Sequence, residues 1–302
     1  MKKRRIIGTA ASALFITLYT VYLIVFGSCA KEDAEKGLRL CADVILKTVM
    51  PFSVASSLIV SSGLCGAAGR LLGAPFSRLL GLSDDGAGVF FLGLIGGYPS
   101  GAVSAGELYS KGAISRDEAE RLISFTNNAT PAFAAGFCGS VLGDARCGAL
   151  LYSVCIVSSV VWGVMIRKKA GKREKSKLRL SVPRLSSAVL SASSSCVVIC
   201  ADVIVFSIIS GALSRLPLGF VIPALFEVTG GAVSLAAHVR DLRLCGSAVC
   251  ALVSFSGLCV ADQTDGVCRG YGLSPGYYLA GKPVQAVLSF LLYYLSYPLI
   301  IS

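Results

Sequence analysis

Charge is scarce in this chain. Only 15% of its 302 residues are Asp, Glu, Lys or Arg, against about 25% in a soluble domain. Histidine and tryptophan occur once each, as His238 and Trp162. A single histidine leaves no Ser-His-Asp or Cys-His pair with a choice of base, and neither Walker-A nor H-E-x-x-H is present. The chain is therefore read as a non-enzyme. There are 12 cysteines but no C-x-x-C pair. A zinc site needs clustered ligands, so no metal or other cofactor is expected. In apolar surroundings the cysteines are read as small hydrophobic side chains.

What replaces charge is long apolar sequence. Mean hydropathy is +0.73. Residues 6–26 and 148–166 carry no charge, residues 216–239 hold only Glu227 and His238, and residues 283–302 are again uncharged. A helix needs about 20 apolar residues to cross a bilayer. The sequence therefore predicts an all-α, polytopic membrane protein with about 8 membrane segments, whose first partner is the lipid bilayer.

The net charge of +11 is confined to two places. Lys2, Lys3, Arg4 and Arg5 precede the first apolar run. Nine basic residues and Glu174 occupy residues 167–184. Basic stretches beside apolar spans mark the cytoplasmic side, which puts the N-terminus and this linker inside. No nucleic-acid partner is expected, since no aromatic platform accompanies the charge. Phe26-Gly27-Ser28-Cys29 loosely resembles a lipoprotein signal, but a run of 21 residues is long for one. An uncleaved first span is the preferred reading. It is followed by a short mixed-charge loop at residues 31–39.

Four parts are expected: residues 1–37 as the first span and outside loop, 38–166 as a first repeat, 167–185 as the linker and 186–302 as a second repeat. The repeat rests on three ordered matches. Cys41-Ala42-Asp43-Val44-Ile45 recurs as Cys200-Ala201-Asp202-Val203-Ile204, Gly96-Gly97 as Gly230-Gly231, and Ser124-Phe125-Thr126 as Ser254-Phe255-Ser256. The first copy starts outside and the second inside, so the repeats would be inverted, with re-entrant hairpins and broken helices.

Three interruptions of apolar sequence are the candidate substrate site. Gly97, Tyr98, Pro99, Ser100 and Gly101 read as a hairpin tip, because irregular backbone in a membrane is tolerated only under protein or water. The spacing Gly93-x-x-x-Gly97-x-x-x-Gly101 also fits close helix packing. Ser115-Arg116-Asp117-Glu118 is a capping box that opens an amphipathic helix. That helix leads to Ser124, Thr126, Asn127 and Asn128, then Pro131. Two adjacent amides suit a polar ligand without a buried charge. The other reading is a cap at the membrane surface, or a glycosylation acceptor at Asn128. Glu227, Thr229 and Gly230 form the third interruption. A carboxylate in an apolar span binds a proton or cation, or pairs with Arg215 or Arg240. Asp43, Lys47 and Asp202 follow the same logic less directly. Asp262-Gln263-Thr264-Asp265 lines the opposite hairpin or is a solvated loop within a polar stretch at residues 261–282. His238 is placed at a span end.

One region supports a family resemblance. It begins at Phe91-Leu92-Gly93-Leu94-Ile95-Gly96-Gly97-Tyr98-Pro99-Ser100-Gly101-Ala102. It continues through Glu107-Leu108-Tyr109, Lys111-Gly112-Ala113-Ile114-Ser115 and Glu118-Ala119-Glu120-Arg121-Leu122. It ends with Ser124-Phe125-Thr126-Asn127-Asn128-Ala129-Thr130-Pro131-Ala132-Phe133 and residues 136–139. These residues resemble the YlbJ family of sporulation integral membrane proteins, within the nucleoside-recognition, or Gate, domain membrane proteins. The resemblance implies a fold similar to concentrative nucleoside transporters, with two helical hairpins and two partly unwound helices. It further implies movement of dipicolinic acid across the outer forespore membrane during sporulation. The rivals are transport of a nucleoside-like solute and a non-transporting scaffold of spore assembly. The solute is a small polar or anionic molecule in the first two readings. A coupling ion and a homo-oligomer are both left open by the sequence.

Overall fold

The computed structural model describes residues 2–64, 67, 69, 71, 74–168, 181–216 and 220–301. Arg70, Cys65, linker residues 169–180 and the side chains of residues 2–12 lie outside that description. Among the described residues the chain is helical and has no strand. Helices α1 (Lys2–Val25) and α2 (Gly27–Leu40) are followed without a gap by π-helical turns at Cys41–Val49 and by α3 (Met50–Ser62). Then come α4 (Ala74–Leu80), α5 (Asp84–Gly96), α6 (Ser100–Ser110) and α7 (Arg116–Thr126). Wide turns at Ala132–Phe137 run into the short α8 (Cys138–Val141) and the long α9 (Ala145–Met165). The second half holds α10 (Leu185–Ser214), α11 (Val221–Phe226), α12 (Val228–His238), α13 (Leu242–Phe255), α14 (Gly257–Gly270) and α15 (Gly276–Ile300).

Four helical runs among the described residues are long and apolar enough to cross a bilayer: Ala145–Met165, Leu185–Ser214, Leu242–Gly270 and Gly276–Ile300. A fifth results if Ala13–Val25 and Gly27–Lys47, bent by 103°, count as one span. Their surfaces are apolar. Leu190 is 71% exposed on α10, and Leu295 is 64% exposed on α15. Water would penalise such surface, whereas lipid does not. The chain is a multi-pass integral membrane protein.

Two expected irregular stretches are helical. Residues 31–39 belong to α2, because Ala, Glu and Lys favour helix and Asp33 pairs with Lys36 one turn on, at 2.8 Å. Asp33 is buried and also accepts from Arg215 at 2.5 Å, which ties α2 to the end of α10. Asp262 to Asp265 are not a solvated loop either: the polar stretch at residues 261–282 forms most of α14, a turn, and the start of α15.

Three apolar clusters hold the bundle. One lies under α5, α6 and α7 and includes Phe90, Phe125 and Tyr278. Another joins α9 to α13 through Leu151, Val249 and Tyr293. The third packs the wide turns of Cys41–Val49 on α10. There Cys41 Sγ donates to the Cys200 carbonyl oxygen at 3.5 Å. The two matching Cys-Ala-Asp segments therefore touch.

Candidate functional site

The first interruption is a helical hairpin. Ser83 caps α5 by accepting from the Gly86 N–H at 3.1 Å. Ser83 is itself held by Glu118, whose Oε1 accepts from its N–H at 2.6 Å and from its hydroxyl at 2.7 Å. Only half of the expected capping box forms: Ser115 accepts from the Glu118 N–H at 3.2 Å, but the Glu118 carboxylate anchors the neighbouring helix. Helix α5 ends at Gly97, where φ is 72°. That conformation is cheap only for glycine. The Tyr98–Pro99 bond is cis, and α6 returns alongside α5. At Gly101 a Cβ would come within 2.5 Å of the Thr126 carbonyl oxygen. Glycine therefore serves both readings: it turns the tip and lets the hairpin seat on the backbone of the next interruption.

That next interruption follows Thr126. Pro131 disfavours a helical residue before it, and the chain leaves the helix from Asn127 to Thr130. All four residues are buried, so neither the surface cap nor the glycosylation reading holds. Asn127 Nδ2 donates to Thr264 Oγ1 at 2.8 Å. Asn128 Nδ2 donates to the Phe125 carbonyl oxygen at 2.8 Å. Thr126 Oγ1 donates back to the Leu122 carbonyl at 2.7 Å. Ser124 accepts from Trp162 Nε1 at 3.0 Å, and its carbonyl accepts from Gln285 Nε2 at 2.8 Å. Asn127 Oδ1 is buried with no hydrogen-bond partner. Polar groups left so are costly unless a ligand or water completes them.

The third interruption separates α11 from α12. Glu227 is extended and 7% exposed. Its carboxylate accepts from the Thr229 N–H at 2.8 Å and from the Gly230 N–H at 2.6 Å. It is the N-cap of α12 and pairs with neither Arg215 nor Arg240. Arg215 is taken by Asp33, and Arg240 is exposed. A fourth break, at Ser256, separates α13 from α14 with φ 70°. The matched triplets ending at Thr126 and Ser256 thus both close on helix breaks.

These parts meet. A cavity of about 80 Å³ is lined by Tyr98, Thr130, Phe133, Glu227, Thr229 and Gln263, with an apolar wall from the wide turns at Ile45 and Val49 and from α10 at Ile199 and Val203. Tyr98 Oη is buried and unpartnered. A second cavity adjoins the first tip at Pro99 and Ser100 and runs between Ser56, Ser104, Ser191 and Ser195. A third reaches Glu227 and Gly230 from Asp33 and Ser207. Of the sequence-predicted residues, Tyr98, Glu227 and Thr229 line the central cavity. Pro99, Ser100 and Gly230 face its neighbours. Gly97 and Gly101 shape the first tip, and Ser124, Thr126, Asn127 and Asn128 form the buried network behind it.

Other predicted residues stand elsewhere. Asp43 and Lys47 pair at 2.7 Å on an exposed helix face. Asp202 is half-buried on α10. His238 ends α12 and stacks on Phe220 at 4.5 Å. Gln263 and Thr264 face the centre from α14, whereas Asp265 pairs with Arg269 at 2.6 Å. Sequence reasoning missed the polar stripe of α15. Tyr278, Lys282, Gln285 and Ser289 are all buried on one face. Their spacing of three and four residues was the available signal.

The fold and centre define a helical membrane protein whose interrupted helices enclose a buried polar site. The chain is 31% identical over 175 residues to the sporulation integral membrane protein YlbJ of Bacillus subtilis (strain 168), and the resemblance to the YlbJ family stands on that match. The match covers 57% of this chain and 42% of the relative, so the chain spans less than half the length of the curated relative. No family model matches. No solved structure matches.

Proposed function

We propose that the chain is a secondary transporter or facilitator for a small polar or anionic solute, with dipicolinic acid moving across the outer forespore membrane as the specific case. One observation carries this reading. Two helix-break tips, one from each half of the chain, meet at one cavity, and two further cavities share lining residues with it, one through Ile199 and the other through Leu40 and Glu227. A scaffold has no need of backbone breaks around a void, whereas a site reached alternately from two sides does.

In this reading the halves are inverted repeats, and the membrane count rises to about eight because the short helices of each tip dip into the bilayer and return. The touching Cys41 and Cys200 segments and the paired breaks at Thr126 and Ser256 support it. The N-terminus and the 167–185 linker are cytoplasmic, on the charge pattern alone. The serine-walled cavity would open on the linker side and the Asp33 cavity outside. The central cavity pairs an apolar wall with hydroxyl and amide groups, which suits a flat ring with polar edges. A solute carboxylate is expected to face Tyr98, Thr130 and Gln263, away from Glu227.

The test is uptake by purified protein in proteoliposomes. Dipicolinate should move, and Tyr98→Ala and Gln263→Ala should each slow it about tenfold, the effect of losing about 1.4 kcal/mol of binding. Movement of nucleosides without dipicolinate would select the other solute. No movement of any solute by folded protein would select the scaffold.

A further inference from the structure

One buried group has no part in the cavity. Lys282 lies in the second turn of α15 and is 2% exposed. Its Nζ donates to the Asn127 carbonyl oxygen at 2.8 Å, to Asn128 Oδ1 at 3.3 Å and to Gln285 Oε1 at 3.5 Å. Among the described residues no carboxylate pairs with it. A buried ammonium without a counter-ion is costly. Its persistence here needs a reason beyond packing.

The oxygens are aimed. The Asn127 carbonyl is free only because the helix is broken at that residue. Asn128 and Gln285 are fixed with their oxygens toward Nζ, because their nitrogens donate to the carbonyls of Phe125 and Ser124, at 2.8 Å in each case. Ser159 Oγ lies at 3.0 and 3.2 Å from the same two oxygens and at 2.9 Å from the Cys155 carbonyl oxygen, and its one hydroxyl hydrogen goes to one of the three. An all-oxygen shell of neutral groups is how proteins hold a monovalent cation.

We propose that Lys282 is a tethered cation: its ammonium fills a monovalent-cation site built by the interrupted helix, and a free monovalent cation can take its place when the side chain is removed. The other titratable groups near Nζ are Cys155 from α9, with Cys250 of α13 behind it at 3.9 Å, and Tyr278 from α15 itself. Arg121 on α7 turns away to the carbonyls of Leu80 and Gly81. This inference goes beyond the transport reading and stands or falls without it.

Trp162 is the sole tryptophan, and Gly281 packs against its ring, so it reports on this region. The full chain is purified in nanodiscs, and Trp162 emission and Tm are followed in potassium chloride and in choline chloride. Wild type and Lys282→Arg, each with a tethered cation, should give the same emission and Tm in both salts. Lys282→Ala should be less stable in choline chloride and regain about 5 °C in Tm in potassium chloride. A Lys282→Ala Tm that is equal in the two salts overturns the proposal. So does a wild-type Tm that rises in potassium chloride over choline chloride. Lys282→Ser repeats the comparison where Lys282→Ala does not fold.

Discussion

Asn127 donates from its amide to the Thr264 hydroxyl at 2.8 Å, and this bond joins the broken helix of the first half to α14 of the second. Both residues are fully buried. Thr264 Oγ1 is satisfied in turn by donating to the Val260 carbonyl at 2.7 Å. Removing either partner costs about 1 kcal/mol for a neutral bond and more if the survivor is left dry. Asn127→Ala and Thr264→Val should each lower Tm. The double variant should lose less than the sum, by about 0.5–1.5 kcal/mol. Additive losses in a thermal-denaturation cycle would mean that the bond does not couple the halves.

Gly101 sets how closely the first hairpin approaches Thr126. The obstacle to a larger residue is a backbone carbonyl, which cannot swing aside as a side chain can. Gly101→Ala should therefore destabilise by about 1–3 kcal/mol. Gly136 is the control. A Cβ there meets nothing within 4 Å, so Gly136→Ala should be neutral or gain up to about 1 kcal/mol from helix propensity. Thermal melts of the two variants in one detergent compare them directly. Equal effects would remove the claim that the hairpin is seated on Thr126.

The breaks were legible in the sequence because their residues oppose helix or carry polarity into apolar runs. Gly97 and Pro99 turn the chain, Pro131 ends the helix before it, and Glu227 is a charge that needs local donors. The α15 stripe was not legible for a related reason. Pro283 reads as a helix start, since proline fits a first turn. The helix instead begins at Gly276, which carries Lys282 into the interior. Glu227 illustrates a different limit. Its burial followed from hydropathy, but its partners proved to be the two N–H groups next to it, and sequence offers no distance by which to prefer them over Arg215. The basic residues of α1 and the linker bear only on topology.

Asp117 should give the end of the molecule near the linker a pH dependence in acid. It accepts from Arg121 Nε at 3.0 Å and from the Lys168 ammonium. Partial burial pushes its carboxyl up, but those two cations outweigh it and hold it below the ordinary carboxylate value of 3.8. A lowered folded pKa contributes stability above the unfolded value and loses it as pH falls through the folded one. Stability from this contact should thus be whole above pH 3.8 and disappear below it. Asp117→Asn should lower Tm at neutral pH and flatten the acid limb of Tm against pH. An unchanged acid limb would show that the pair is screened by solvent.

Glu227 offers the sharpest separation of structure from chemistry. Its carboxylate caps α12 through Thr229 and Gly230, yet it also faces the central cavity. Glu227→Ala removes the cap and should cost about 0.5–2 kcal/mol. Glu227→Gln keeps an oxygen that can accept from one of the two N–H groups, so its loss of stability should be smaller. Charge is the only property that Glu227→Gln removes outright. If the cavity uses that charge to hold a proton or a cation, Glu227→Gln should stop solute uptake in proteoliposomes while Tm stays near wild type. If Glu227 is only a cap, uptake should follow Tm across wild type, Glu227→Gln and Glu227→Ala. A fall in uptake without a fall in Tm therefore assigns the carboxylate to the cavity, and a common trend assigns it to the helix.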